Sequence, residues 1–379
     1  MRFEQGPIRP PSEAGSLLLR FTRNCPWNRC TFCPVYKGQP FSRRSLAEIT
    51  GDIDAAASVL DHLNTLSFRM GFGGRLSREV TGAALTDPIL SDQARHVALW
   101  AMTDKGTVFI QDANSLVLET EVLVKALQHL KRRIPGVKRV TSYARSSTLS
   151  RKTLDELRAI REAGLDRIHI GLESGSDAVL AFVRKGTTAA QHVEAGRRVV
   201  EAGMTLSEYV MPGLGGRQWW REHALETARV LSEIRPHFIR LRSLRIPPHV
   251  PLHADVEAGR FLPLTDDETV EEIRLLLENL HADRSVLTSD HIMNLLPEVE
   301  GTLPEDKPKM FGVIDRYLAM SEADRLLYRL GRRGGALQSL DDLDDPNTRR
   351  RLERARRELS AETGGDLEKI ILELGDRYI

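Results

Sequence analysis

Cys25, Cys30 and Cys33 fall within nine residues, in the run NCPWNRCTFCP, and they are the three cysteines of a 379-residue chain. Three thiolates on one short loop can bind three irons of a four-iron, four-sulfur cluster, which leaves the fourth iron without a cysteine. A cluster that only carries electrons usually has four protein ligands, so a cluster with one open iron is suited to bind a further molecule. The alternative is zinc completed by a histidine. Structural zinc sites commonly take their cysteines in two separated pairs, and the nearest histidine in sequence is His62. The odd count argues against a disulfide framework.

A cluster loop needs elements that hold it. SLLLRFT, 16–22, reads as a strand that ends just before the first cysteine, and 45–66 has the apolar spacing of a helix. Segment 67–106 is mixed and reads as an insertion with short helices. A regular rhythm follows. Strands are expected at 108–113, 139–145, 167–173, 205–213 and 238–244, with helices at 118–133, 151–164, 189–203 and 221–236. Alternation of this kind makes parallel strands joined by crossover helices. Six strands are too few for a closed eight-unit barrel. The expected class is α/β, a partial (β/α)6 barrel, with a flat doubly wound sheet as the alternative. In RIHIGLE, Ile168, Ile170 and Leu172 share one face, and His169, Gly171 and Glu173 the other. In FIRLRSL, Arg240 and Arg242 lie opposite Ile239 and Leu241. Parallel sheets are normally apolar on both faces, so charge on one face points to a lumen that holds a ligand. The expected organisation is an irregular segment 1–15, the barrel core 16–250, a helical extension 251–335 and a charged tail 336–379.

The cysteine loop, directly after a first strand, resembles that of the radical S-adenosylmethionine (SAM) superfamily. That family usually spaces its cysteines by three residues and then two; here the first gap is four. Cys30-Thr31-Phe32-Cys33 keeps the usual end, and the resemblance implies that Phe32 packs near the adenine of SAM. RIHIGLESGSDAVLAFVRKGTT, 167–188, is similar to the fourth-strand signature of branches that include methylthiotransferases, oxygen-independent coproporphyrinogen oxidases and elongator-type proteins. By that likeness Glu173 and Ser174 lie in the SAM pocket. A carboxylate there can accept from the SAM ammonium or from ribose hydroxyls; Ser174, Ser176 or Asp177 can instead cap the next helix. SEYVMPGLGG, 207–216, resembles the fifth-strand segment along the adenine, with Gly213 at the close approach. Asp112 and Asn114, at the end of the second strand, stand where the family binds the SAM amino group, although its Gly-Gly-Glu form is absent. Arg145, at the end of the third strand, can pair with the SAM carboxylate.

The resemblance implies a 4Fe-4S cluster on Cys25, Cys30 and Cys33 whose open iron takes SAM. Reductive cleavage of SAM then yields methionine and a 5′-deoxyadenosyl radical for hydrogen abstraction. Arg240 and Arg242 are candidates for an anionic substrate. No second cysteine set is present for an auxiliary cluster, so an external low-potential donor of flavodoxin or ferredoxin type is expected. A net charge of +1 gives no bulk bias toward nucleic acid or membrane. No apolar leader and no run of membrane-spanning length is visible, and the expected home is a reducing cytoplasm. Two other classes stand beside this reading: an iron–sulfur sensor without turnover, and a zinc-dependent α/β enzyme.

Overall fold

Strands of four to seven residues, each followed by a turn and a helix, carry the fold in the computed structural model, which describes residues 3–103, 105–362 and 366–376. β1 (Leu17–Arg20) leads into the cysteine loop, which is bracketed by a short antiparallel pair, β2 (Thr22–Arg23) and β3 (Ser42–Arg43). The rhythm continues with β4 (Thr107–Gln111), β5 (Arg139–Ala144), β6 (Arg167–Glu173), β7 (Thr205–Val210) and β8 (Phe238–Leu241). These are the six expected strands. The class is α/β with parallel strands and crossover helices, as the alternation demands.

The chain sorts into two compact units, each built from separate stretches. The first holds the residues up to Asn28, Val35–Ile170 and Glu194–Leu206; the second holds Arg29–Pro34, Gly171–Val193 and everything from Ser207. In the first unit β1, β4, β5 and β6 lie side by side in that order, all parallel. Leu19 stands beside Ile110, Val108 beside Val140 and Ser142 beside Ile168, so one face is a continuous buried surface. The helices Leu46–Arg69 and Thr120–Arg133 bury Ile49, Ile53, Leu63, Leu123, Leu127 and Leu130. Ser45 starts the first of them with a capping box to Glu48, which satisfies two N–H groups that would otherwise lack partners. The opposite face is aromatic and polar: the Phe109 and Tyr143 rings meet edge-on at 5.2 Å, and Tyr143 lies 5.6 Å from His169.

In the second unit β7 and β8 are parallel, with Glu208 beside Ile239 and Val210 beside Leu241. The helix Gly216–Ile234 follows β7. Over 251–335, where the sequence predicts a helical extension, Asp266–Asn279, Lys307–Ala319 and Glu322–Arg333 are helices. Between them, however, β9 (Val286–Thr288) pairs in parallel with β8, and β10 (Gly301–Thr302) pairs antiparallel with β9. Strands of three and two residues are too short to show an alternation. The tail contains two helices, Pro346–Glu362 and Leu367–Asp376, held in part by ion pairs from Arg329 to Glu368 and from Arg349 to Asp324. Among the described residues no helix is long and apolar enough to cross a membrane.

Candidate active site and cofactor cradle

The cysteine loop is fixed by its backbone. Thr31, between the second and third cysteines, donates its N–H to the Val183 carbonyl at 3.0 Å and accepts from the Leu252 N–H at 3.0 Å. Cys30 and Cys33 pack against a buried apolar group that includes Phe32, Val183, Met211, Leu214, Leu252 and Phe261. Phe32 is itself buried in this wall. Earlier in the loop, Asn28 takes the left-handed conformation (φ 44°), which short polar residues tolerate. Its N–H lies 3.4 Å from the Cys25 sulfur and its side-chain amide donates to the Tyr36 carbonyl. Lys37 donates to the Asn28 carbonyl at 3.1 Å, so this lysine braces the loop. All three cysteines are half-buried thiols outside any disulfide. Among the described residues no three His, Cys, Asp or Glu side chains converge as a site for one metal ion.

In the first unit, Asp112, at the end of β4, is fully buried and also left-handed (φ 71°). Burial raises its pKa, against the pull of Arg20, whose guanidinium bonds it at 2.5 Å. Asn114 is buried and ties two strand-end loops together: it accepts from the Arg145 N–H at 3.1 Å and donates to Thr148 at 2.8 Å. It makes no side-chain cap on the short helix after it. The Arg145 guanidinium lies over the Trp27 indole, 5.1 Å from the ring centre. Trp27 lies inside the four-residue gap. Neither Arg20 nor Trp27 stands out in the sequence, because an arginine and a tryptophan have many ordinary uses.

In the second unit the turn after β6 carries the densest chemistry. Glu173 sits at φ 63°, and its carboxylate accepts from Lys185 at 2.9 Å. The Lys185 ammonium also lies 5.8 Å from the centre of the Phe32 ring. Both groups occupy the space above Gly171: a Cβ there would meet the Glu173 carboxylate at 2.2 Å and Lys185 at 2.9 Å. Glycine at 171 thus leaves room for this pair, whose side-chain ends a Cβ would push aside. The Glu173 carbonyl accepts from the Met211 N–H at 3.0 Å. Ser176 caps the helix Asp177–Phe182, accepting from Val179, as the motif allowed. Ser174 is fully buried and faces His223 at 2.8 Å. Gly213, at φ 89°, donates its N–H to Glu272 of the helix Asp266–Asn279. Burial pushes the Glu272 carboxyl up to about 8, with the Gly213 N–H opposing.

Arg240 is buried and engaged by Ser207, Thr288 and Asp290, the last at 3.0 Å. Asp290 is thus its counter-ion. Arg242 lies beyond the end of β8, one residue past Leu241, and is exposed. The strand expected to run to 244 stops earlier, so Arg240 and Arg242 do not share a strand face. His291 is pushed down to about 4 by burial and then by Arg242. Trp219 stacks near Phe182, with ring centres 5.1 Å apart, inside the apolar group, which gives it a packing role.

Residues 19–228 match the family model of the Radical SAM superfamily. The chain belongs to that superfamily. It is therefore an enzyme of the radical SAM type, using a 4Fe-4S cluster and SAM, and its six leading strands are those of the family's partial barrel. The chain is similar in fold to an archaeal Elp3 from Methanocaldococcus infernus (14% identity, TM-score 0.40, 55% of this chain and 54% of that one). It is also similar to the radical SAM methyltransferase TsrM of Kitasatospora setae (14%, 0.43, 64% and 36%). A third is coproporphyrinogen III oxidase (HemN) of Escherichia coli (13%, 0.42, 66% and 48%). The chain spans about half the length of the Elp3 and HemN chains and about a third of TsrM. No curated protein matches it.

Proposed function

We propose that this radical SAM enzyme holds its cluster on Cys25, Cys30 and Cys33 and acts on a substrate by hydrogen abstraction. The bound cluster and SAM supply the hard chemistry: a low-potential electron cleaves SAM to methionine and a 5′-deoxyadenosyl radical. The protein's residues bind and orient. The observation that carries the assignment is the loop itself: three thiols, with Thr31 pinned by two backbone bonds and two of the thiols seated on an apolar wall. Such a wall limits water at the sulfurs and so tunes a cluster.

Glu173 and the Gly213 turn are the proposed SAM contacts in the second unit. Glu173 is paired with Lys185, which neutralises a half-buried carboxylate. In the first unit, Arg145 is the proposed partner of the SAM carboxylate, its plane set by Trp27. Asp112 serves less directly, because Arg20 already engages its carboxylate. Arg240, paired with Asp290, is a proposed substrate-facing group. A flavodoxin- or ferredoxin-type donor supplies the electron.

The test is anaerobic reconstitution followed by ultraviolet–visible and electron paramagnetic resonance spectra, then incubation with SAM and dithionite. Parent protein is expected to show a reducible cluster and to form 5′-deoxyadenosine. Cys25→Ser, Cys30→Ser and Cys33→Ser should each lose the cluster. A parent that binds zinc tightly and no cluster would overturn the proposal. A reduced cluster with no 5′-deoxyadenosine would favour the sensor.

A further inference from the structure

His223 lies two turns into the helix Gly216–Ile234 and is almost fully buried. Its Nε2 is 3.1 Å from the Met211 carbonyl, and its Nδ1 is 2.8 Å from the Ser174 hydroxyl. A carbonyl only accepts, so Nε2 carries the proton. Burial holds the ring pKa down, to about 4, so the imidazole is neutral and Nδ1 accepts from Ser174. Ser174 in turn accepts from the Ser176 N–H at 3.0 Å. The chain of bonds runs one way: Ser176 N–H to Ser174, Ser174 O–H to His223, His223 N–H to Met211. It joins the turn after β6 to the turn after β7 through one ring.

The same helix grips the first of these turns at two further points. Gly175 donates to Thr227 at 2.9 Å, and Ser176 donates to Glu222 at 2.6 Å. Three successive residues of the turn are thus bonded to Glu222, His223 and Thr227. His223 alone also reaches the turn after β7. Glu173 precedes this bonded stretch directly, and Met211 sits two residues before Gly213.

We propose that His223 is a positioning residue that sets Glu173 and the Gly213 turn at a fixed spacing for SAM; this rests on the reading of those two turns as SAM contacts. Ser174 then acts through His223 and does not touch SAM itself. The two ring nitrogens can be tested separately. His223→Asn keeps an acceptor near Nδ1, His223→Gln keeps a donor near Nε2, and His223→Leu keeps neither.

The experiment measures SAM dissociation constants by equilibrium dialysis on the cluster-reconstituted protein, with thermal midpoints and iron content read in parallel. His223→Leu is expected to weaken SAM binding about 10- to 100-fold at unchanged iron content, the usual size for loss of an outer support. His223→Asn and His223→Gln should fall between it and the parent. Ser174→Ala should cost nothing further on top of His223→Leu, because both break one chain. If His223→Leu does not fold, Asn, Gln and Ser174→Ala decide by the same affinity criterion. Parent-like affinity in all soluble variants, with only the thermal midpoint lowered, would overturn the positioning role. A reconstituted parent that binds no SAM would overturn the reading of the two turns as well, so the two failures are distinguishable.

Discussion

At the scale of single residues, two carboxyl groups make opposite demands. Glu173 lies next to the Lys185 ammonium, which itself stands over the Phe32 ring, and over a glycine that leaves room for it. Replacing it by Gln should weaken SAM binding by about tenfold, the size expected for loss of a charge-assisted contact. Equilibrium dialysis on the reconstituted protein checks this, and unchanged affinity would remove Glu173 from the site. Glu272 is buried and neutral at pH 7, its pKa raised from 4.5 to about 8 by burial. Between those values the unfolded chain has lost the proton and the native chain keeps it. Stability from this group therefore falls as pH rises from about 4.5 to about 8 and is level above that. Glu272→Gln keeps an acceptor for Gly213 and removes the titration. Its advantage in unfolding free energy over the parent should widen steadily between pH 5 and 8, by on the order of 3–5 kcal/mol in total. Denaturant melts at several pH values test the slope; a parallel pair of curves would exclude a neutral Glu272.

At the scale of elements, the helix after β7 is the frame of the second unit's turns. Gly175 shows how closely it approaches: a Cβ at that position would stand 2.3 Å from the Glu226 carbonyl oxygen, which is backbone and cannot swing aside. Gly175→Ala should therefore destabilise by about 1–3 kcal/mol, against the usual gain from removing a glycine, and a urea melt measures it. The six strands and their helices were legible because each strand is followed by a helix of regular period. The Ser176 cap was legible because serine is a preferred residue just before a helix; the cysteine set and Glu173 stand out in the sequence by residue type and spacing. The rest was hidden for physical reasons. His223 and Glu272 lie within helices 49 and 59 residues from the residues they hold, Ser174 after β6 and Gly213 after β7, and nothing in helical spacing marks a polar residue as facing inward. β9 and β10 form because β8 offers an unpaired edge, which is a property of the folded sheet.

At the scale of the whole molecule, one chain offers three thiolates and therefore one cluster. Full reconstitution should load about four irons per chain, and the triple Cys→Ser variant should fall to background by iron and sulfide assay. A second cluster's worth of iron would require ligands other than cysteine. Cleavage of SAM should stop when the added reductant is withheld, since the chain has no other cysteine set to store the electron. The four-residue first gap has a different kind of consequence. Thr31 is anchored on both sides by backbone, so the second and third cysteines keep their places whatever precedes them. The stretch before them is held by its own local bonds, through Asn28, Tyr36 and Lys37. The interval between the first and second cysteines is thus the part of the loop where length can drift over evolution. A residue added there leaves both anchors of Thr31 in place, and Trp27, in that interval, lies under Arg145.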